Sequence, residues 1–165
     1  MNHGSGGVCK FAALLLMFAL PAVASAPIFT ANPAAPFVRP AGPGGCSFDV
    51  FVAPQAGRPN NGKTITFANG SQVLNGAVFE TLTNLTNFKS INLNISGPGQ
   101  FSVSDNTFTL FGPQVLFGFE NLGPAALPSV AFLKGQTVLQ LDAFGNFISV
   151  KFTGAAPQDV CQLLE

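Results

Sequence analysis

Apolar and polar residues alternate along most of the chain after residue 45. In one of the clearest runs, Ile91, Leu93 and Ile95 are separated by asparagines. A period of two gives a β-strand one apolar face and one polar face. Since no long helical pattern follows residue 26, the sequence predicts an all-β protein. The predicted strands cover residues 46–52, 64–67, 77–82, 90–95, 101–104, 107–111, 115–119, 130–133, 137–142 and 147–153.

Turn residues separate these runs. Asn69 and Gly70 form a pair that suits a tight hairpin, because both residues tolerate a positive φ. Gly145 and Asn146 mark another reversal, and residues 120–129 are the longest irregular stretch. Short connections of this kind predict an antiparallel meander. A closed or nearly closed β-barrel is favoured, because the chain carries few of the charges that protect open sheet edges. A β-sandwich is the alternative.

The first 26 residues have the pattern of a signal peptide. An apolar stretch at 11–20 follows Lys10, and small residues at 22–26 offer a cleavage site. Cleavage is expected after Ala24, with Ala26 as second choice. The apolar stretch is too short for a membrane anchor, which needs about 20 residues. We therefore expect a secreted protein with no membrane span, a Pro/Ala/Gly-rich linker at 27–45 and one domain at 46–165.

Export determines the role of the cysteines. Cys9 would leave with the signal peptide, and Cys46 and Cys161 would remain. Two cysteines in an oxidising compartment have one intramolecular pairing available. In the chain-entropy treatment, closing a loop of this length stabilises the folded protein by roughly 4 to 5 kcal/mol. A structural disulfide is predicted, and two unpaired thiols are the alternative.

Composition limits the chemistry. Charged residues make up 8% of the chain, and seven Lys plus Arg balance seven Asp plus Glu, which argues against a nucleic-acid partner. The single histidine, His3, lies in the predicted signal peptide, and the chain has no Tyr or Trp. Without a histidine or a free cysteine, the mature chain would have no Ser-His-Asp or Cys-His nucleophile and no His/Cys metal site. We expect no cofactor, no metal and no enzymatic activity.

Four residues are candidates for a site. Glu80 interrupts an apolar strand, so an inward-facing carboxylate would act as an acid or base or bind a polar ligand group. The favoured interpretation is that Glu80 faces water. Asn69, Asn84 and Asn94 each begin an Asn-X-Ser/Thr sequence, which is a glycosylation acceptor if the source is eukaryotic.

The order of five motifs resembles that of small secreted proteins of actinobacteria and related bacteria whose function is uncharacterised. The motifs are a cysteine at the first strand, "TITFANGSQV", "TLTNLTNFKSINLNISGPG", "VLQLDAFGNFISV" and "DVCQLL". The resemblance covers residues 46–164. It implies a secreted β domain with the same disulfide, and it carries no catalytic residues.

Three classes of function follow. The favoured class is a secreted, non-catalytic β domain with an interaction or envelope role. The second is a lipocalin-like barrel that binds a small apolar ligand in a cavity lined by Phe. The third is a cofactor-free barrel isomerase resembling allene oxide cyclase. The partner is therefore expected to be an apolar small molecule or an envelope or extracellular protein.

Overall fold

The protein is an antiparallel all-β structure, as the alternating pattern predicts. The computed structural model describes residues 25–122 and 127–165, so the predicted signal peptide lies almost entirely outside the described residues. The elements are β1 (Ile28–Ala31), β2 (Phe37–Arg39), β3 (Val50–Pro54), β4 (Lys63–Thr66), β5 (Gln72–Asn75), β6 (Phe79–Asn84), β7 (Ser90–Asn94), β8 (Gly99–Ser102), β9 (Thr107–Phe117), β10 (Val130–Leu141), β11 (Phe147–Gly154), β12 (Gln158–Asp159) and α1 (Val160–Leu164).

The described strands form two sheets. The larger sheet has eight strands in the order β1-β4-β5-β8-β9-β10-β11, with β12 paired to β10. The smaller sheet has four strands in the order β2-β3-β6-β7. Each sheet therefore ends on two edge strands, and the closed barrel favoured from the sequence is not confirmed. The two sheets form a sandwich-like arrangement. The alternating pattern could not distinguish this from a barrel, because a period of two identifies the buried face of a strand but not the strand beside it.

A first hydrophobic cluster joins the two sheets. The smaller sheet contributes Val50, Val52 and Leu82, and the larger sheet contributes Val130 and Phe132. All five side chains are buried. Burial of apolar surface between the sheets is therefore what holds the sandwich together.

A second cluster lies on the opposite face of the larger sheet. Ala131 and Leu133 of β10 belong to it, together with Leu116 of β9. Because side chains alternate along a strand, β10 places Val130 and Phe132 in one cluster and Ala131 and Leu133 in the other. The long strands β9 and β10 are thus covered on both faces.

The predicted linker at 27–45 is ordered into strands. β1 pairs with β4, and β2 pairs with β3, so this segment adds an edge strand to each sheet. The side chains of β1 are exposed, and those of β2 are mostly so. Main-chain hydrogen bonds hold these strands with little apolar burial, which explains why the hydrophobic pattern did not reveal them.

The predicted disulfide is confirmed. Cys46 and Cys161 are bonded, with their Cα atoms 5.4 Å apart and a sequence separation of 115. Cys46 is buried in the first cluster beside Val160 and Leu164 of α1. Asp159 caps this helix, because its side chain accepts a hydrogen bond from the Cys161 N–H at 2.9 Å. The disulfide thus fixes the terminal helix to the entrance of β3.

Candidate functional site

Glu80 lies on the inward face of the smaller sheet. In β6 it is paired with Pro54 of β3 and Leu93 of β7, and it shares a face with the buried Leu82. The residue is 7% exposed. The expectation that Glu80 faces water is therefore wrong. Strand β6 begins two residues later than the pattern predicted. The Glu80 side chain points inward because Glu80 is paired with Leu93, whose side chain packs against the core.

Burial changes the acid strength of Glu80. Desolvation raises the pKa of its carboxyl group above the ordinary value, because the charged form loses hydration. Within the described part of the chain, no hydrogen bond to its carboxylate offsets this loss. The carboxyl group is thus a weakened acid on the inner face of the smaller sheet.

The three glycosylation candidates differ in accessibility. Asn69 lies exposed in the β4–β5 turn, where its side chain accepts a hydrogen bond from the Ser71 N–H at 3.0 Å. Asn94 is also exposed. Asn84 is 2% exposed, and its side-chain nitrogen donates to the Leu164 carbonyl at 3.2 Å. A glycan cannot be accommodated on that nitrogen in the folded protein, so Asn84 is not an acceptor there.

Three turns of the larger sheet lie side by side at one end. They connect β4 to β5 (67–71), β8 to β9 (103–106) and β10 to β11 (142–146). We use the name hairpin end for these three turns together with Phe147 and Ile148, which follow the third turn. The row of paired residues that places the turns together consists of Thr66, Gln72, Phe101, Phe108 and Leu139.

The hairpin end exposes apolar side chains. Phe144, at the tip of the third turn, is 91% exposed. Four more large apolar residues of the hairpin end are exposed, namely Phe67, Val103, Phe147 and Ile148. Sequence analysis treated these turns only as reversals and missed them as a surface. The signal was an aromatic residue inside each of "TFANGS" and "DAFGNF", where turns ordinarily carry polar residues.

Hydrogen bonds hold the exposed tip in place. The Asp142 carboxylate accepts from the Phe144 N–H at 2.8 Å and from the Asn146 N–H at 2.9 Å. Its other oxygen accepts from the Asn146 side chain at 3.0 Å. The bond from the Asn146 side chain, followed by the main-chain bonds, lowers the pKa of the Asp142 carboxyl group. Asp142 is therefore ionised at neutral pH and fixes the turn that presents Phe144.

Neighbouring turns are also tied to one another. The Asn106 side chain in the second turn donates to the main-chain oxygens of Leu141 at 3.1 Å and Asp142 at 2.7 Å. The first turn contacts the second, since a methyl group added at Gly70 would stand 3.3 Å from the Val103 side chain. The hairpin end is thus a row of neighbouring turns, of which the second and third are joined by hydrogen bonds. Asp105 and Asp142 are its charged residues, and none of its residues is basic.

The described residues contain no group of three or more His, Cys, Asp or Glu side chains close enough to hold a metal ion. No helix in the described part of the chain is long and apolar enough to cross a membrane. Comparison of the chain with protein-family models, curated proteins and solved structures finds no match. The resemblance to secreted actinobacterial proteins stays a prediction from sequence motifs.

Proposed function

We propose that the protein is a secreted, non-catalytic interaction domain that binds an extracellular or envelope protein through the hairpin end. The observation that carries the proposal is the fixed presentation of Phe144, with four further exposed apolar side chains in the hairpin end. Exposed apolar surface is unfavourable in water unless a partner covers it. Contiguous apolar patches on soluble domains often mark interaction sites.

Rigidity strengthens this proposal. Side chains that are already ordered lose less conformational entropy on binding than mobile ones. Asp142 and Asn106 restrain the turn around Phe144 before any partner is present. An aromatic anchor on a restrained turn therefore suits the centre of a small interface, where aromatic residues contribute most.

The disulfide supports the extracellular location. Disulfide bonds persist in oxidising compartments and are rare in the cytosol of most organisms. The Cys46–Cys161 bond closes a loop that contains strands β3 to β12. The predicted signal peptide at residues 1–26 is the second line of support for secretion.

The other two classes have weaker support. A lipocalin-like ligand site requires a barrel interior, whereas the described strands form two sheets. A barrel isomerase would need Glu80 to face its substrate, and Glu80 instead packs beside Leu82 and opposite Leu93. Purified protein carrying no bound apolar molecule in native mass spectrometry is the expected result.

Site-specific cross-linking tests the proposed interaction. A photoreactive amino acid is placed at Ala143, beside Phe144, and at Gln162 of α1 as the matched control; both positions are exposed. Irradiation in a culture of the producing organism should give a discrete protein adduct from position 143 and none from position 162. The adduct should disappear in a Phe144→Ser background. An adduct that persists in the Phe144→Ser background, or equal cross-linking from both positions, would overturn the proposal.

A further inference from the structure

An open cleft separates the edge of the smaller sheet from a face of the larger one. Its volume is about 520 Å³, which falls in the range of roughly 300–1,000 Å³ typical of ligand sites. Asn92 and Asn94 of β7 form one wall. The residues that form the floor are Pro113, Phe132, Lys134 and Gln158. The cleft is distinct from the hairpin end, and the inference below does not rest on the proposed function.

The floor is a single face of the larger sheet. Pro113 is paired with Lys134, and Phe132 is paired with Gln158, so all four side chains lie on the same side of β10. The Lys134 ammonium lies 5.3 Å from the centre of the Phe132 ring. None of the described residues that line the cleft is acidic. The floor thus combines apolar surface with one positive charge that the lining does not neutralise.

The wall is an open strand edge. In the described structure β7 pairs with β6 alone. The Asn84 N–H bonds to the Lys89 carbonyl, and the Ile95 N–H bonds to the Val78 carbonyl. Because hydrogen-bonded and non-hydrogen-bonded pairs alternate in an antiparallel ladder, the main-chain groups of Asn92 and Asn94 point away from β6. They face the cleft as an unused row of donors and acceptors.

We propose that the cleft binds an extended peptide that carries a carboxylate. The peptide adds a fifth strand to the smaller sheet by pairing with the main chain of Asn92 and Asn94. Its side chains rest on Phe132 and Pro113, and its carboxylate meets the Lys134 ammonium. Strand addition of this kind obtains affinity from main-chain bonds and specificity from the side-chain contacts.

The dimensions fit a short peptide. Successive residues of a strand advance about 3.3 Å, and paired strands lie about 4.8 Å apart. Two outward-facing residues on β7 therefore match a segment of about three to four residues. A compact ligand without a peptide backbone would leave the Asn92 and Asn94 main-chain groups unpaired, which is why we commit to a peptide.

The test uses the disulfide-bonded protein, labelled with ¹⁵N, and an acetylated Val-Thr-Val-Asp peptide. We expect saturable shifts of the Asn92 and Asn94 amide signals during titration. A peptide of the same sequence with N-methylated amides should give no such shifts, because it cannot pair with a strand. Lys134→Met should weaken binding about tenfold, since it removes a charge-assisted hydrogen bond. The matched control is Lys151→Met, an exposed lysine on β11 that should leave affinity unchanged.

Three results would overturn the inference. The first is the absence of shifts at Asn92 and Asn94 at millimolar peptide. The second is equal binding of the N-methylated peptide. The third is shifts of the same amides that depend on protein concentration without peptide, because the occupant would then be a second copy of the chain. The amide spectrum of each variant reports whether it is folded, so a folding defect in Lys134→Met is separable from lost binding.

Discussion

The side chain of Asn84 donates a hydrogen bond to the main-chain carbonyl of Leu164 across 3.2 Å, although 80 residues separate the two in sequence. Asn87 donates to the same carbonyl at 3.1 Å. The Asn84 side-chain oxygen also accepts from the Thr86 N–H at 2.7 Å. The last carbonyls of a helix have no partner within the helix, so the β6–β7 turn satisfies the end of α1.

Substitution of Asn84 should therefore destabilise the fold. Asn84→Ala leaves the Leu164 carbonyl with one of its two donors and the Thr86 N–H without its side-chain acceptor, at a cost of about 1–3 kcal/mol. Urea denaturation followed by circular dichroism measures the change. The control is Asn94→Ala at an exposed position of the next strand, which should stay within about 0.5 kcal/mol of the parent. Equal effects of the two substitutions would contradict the assigned role of Asn84.

Loss of the disulfide should have a larger effect. Cys46→Ala combined with Cys161→Ala opens a 115-residue loop and should lower the free energy of unfolding by about 2–5 kcal/mol. The double variant avoids the free thiol that either single substitution would leave. Chemical denaturation of the oxidised parent, the reduced parent and the double variant provides the comparison. The reduced parent should resemble the variant, and a reduced parent as stable as the oxidised one would refute the prediction.

Glu80→Gln should stabilise the protein at neutral pH. The raised pKa of Glu80 means that the folded state holds the proton more tightly than the unfolded chain does. Its favourable contribution is present below the ordinary pKa of 4.5 and is lost as the pH rises through the raised pKa. At pH 7 the parent must bury a charge or take up a proton, and Gln avoids both costs. Each unit by which the pKa is raised corresponds to about 1.4 kcal/mol.

Unfolding measured between about pH 4 and pH 8 tests this sign. The advantage of Glu80→Gln over the parent should be smallest at the acidic end and should grow towards neutrality. Asp105→Asn, at an exposed turn position, is the control for a general change in net charge. A variant that is less stable than the parent at pH 7 would show that the Glu80 carboxylate has a favourable partner. A turnover activity lost in this folded variant would favour the isomerase class instead.

Phe88 offers a local test of backbone strain. Its φ is 61°, in the left-handed region that a bulky residue seldom adopts, and its side chain is 75% exposed. Its N–H bonds to the Asn84 carbonyl at 2.8 Å. Asn tolerates this conformation better than Phe does, so Phe88→Asn should stabilise the protein by about 0.5–1 kcal/mol. Thermal unfolding of Phe88→Asn is compared with that of Phe144→Asn, which relieves no backbone strain because Phe144 does not have a positive φ. A destabilised Phe88→Asn would mean that the ring makes contacts worth more than the strain.

The sequence predicted most strands in which apolar and polar residues alternate, although it missed the half-buried β5. It also failed where strands depend on the main chain alone. The side chains of β1 are all exposed, so its residues carry no buried face to detect. The long strands β9 and β10 were each predicted as two pieces, with gaps at 112–114 and 134–136, where Gly112 and Gly135 interrupt the alternation. In the structure Pro113 continues β9 opposite Lys134. Its missing N–H costs no bond to β8, because the β8–β9 pairing ends at Leu110.

The candidate surfaces were harder to predict for a different reason. The disulfide followed from counting cysteines, since only one pairing was available. The hairpin end depends on three turns that meet through cross-strand pairing, and the cleft depends on how two sheets approach each other. Local patterns carry neither relationship. Glu80 illustrates the limit, because its neighbour Leu93 on β7, and not its place in an apolar run, determines where it points.

The double use of β9 and β10 has a consequence for how the molecule comes apart. Val130 and Phe132 belong to one hydrophobic cluster while Ala131 and Leu133 belong to the other. Because these four residues are consecutive in β10, disruption of either cluster disturbs the other, and we expect the two clusters to unfold together. Heating should give a single transition by every probe, with the calorimetric enthalpy equal to the van't Hoff enthalpy. Despite its two sheets, the protein should unfold as one thermodynamic unit.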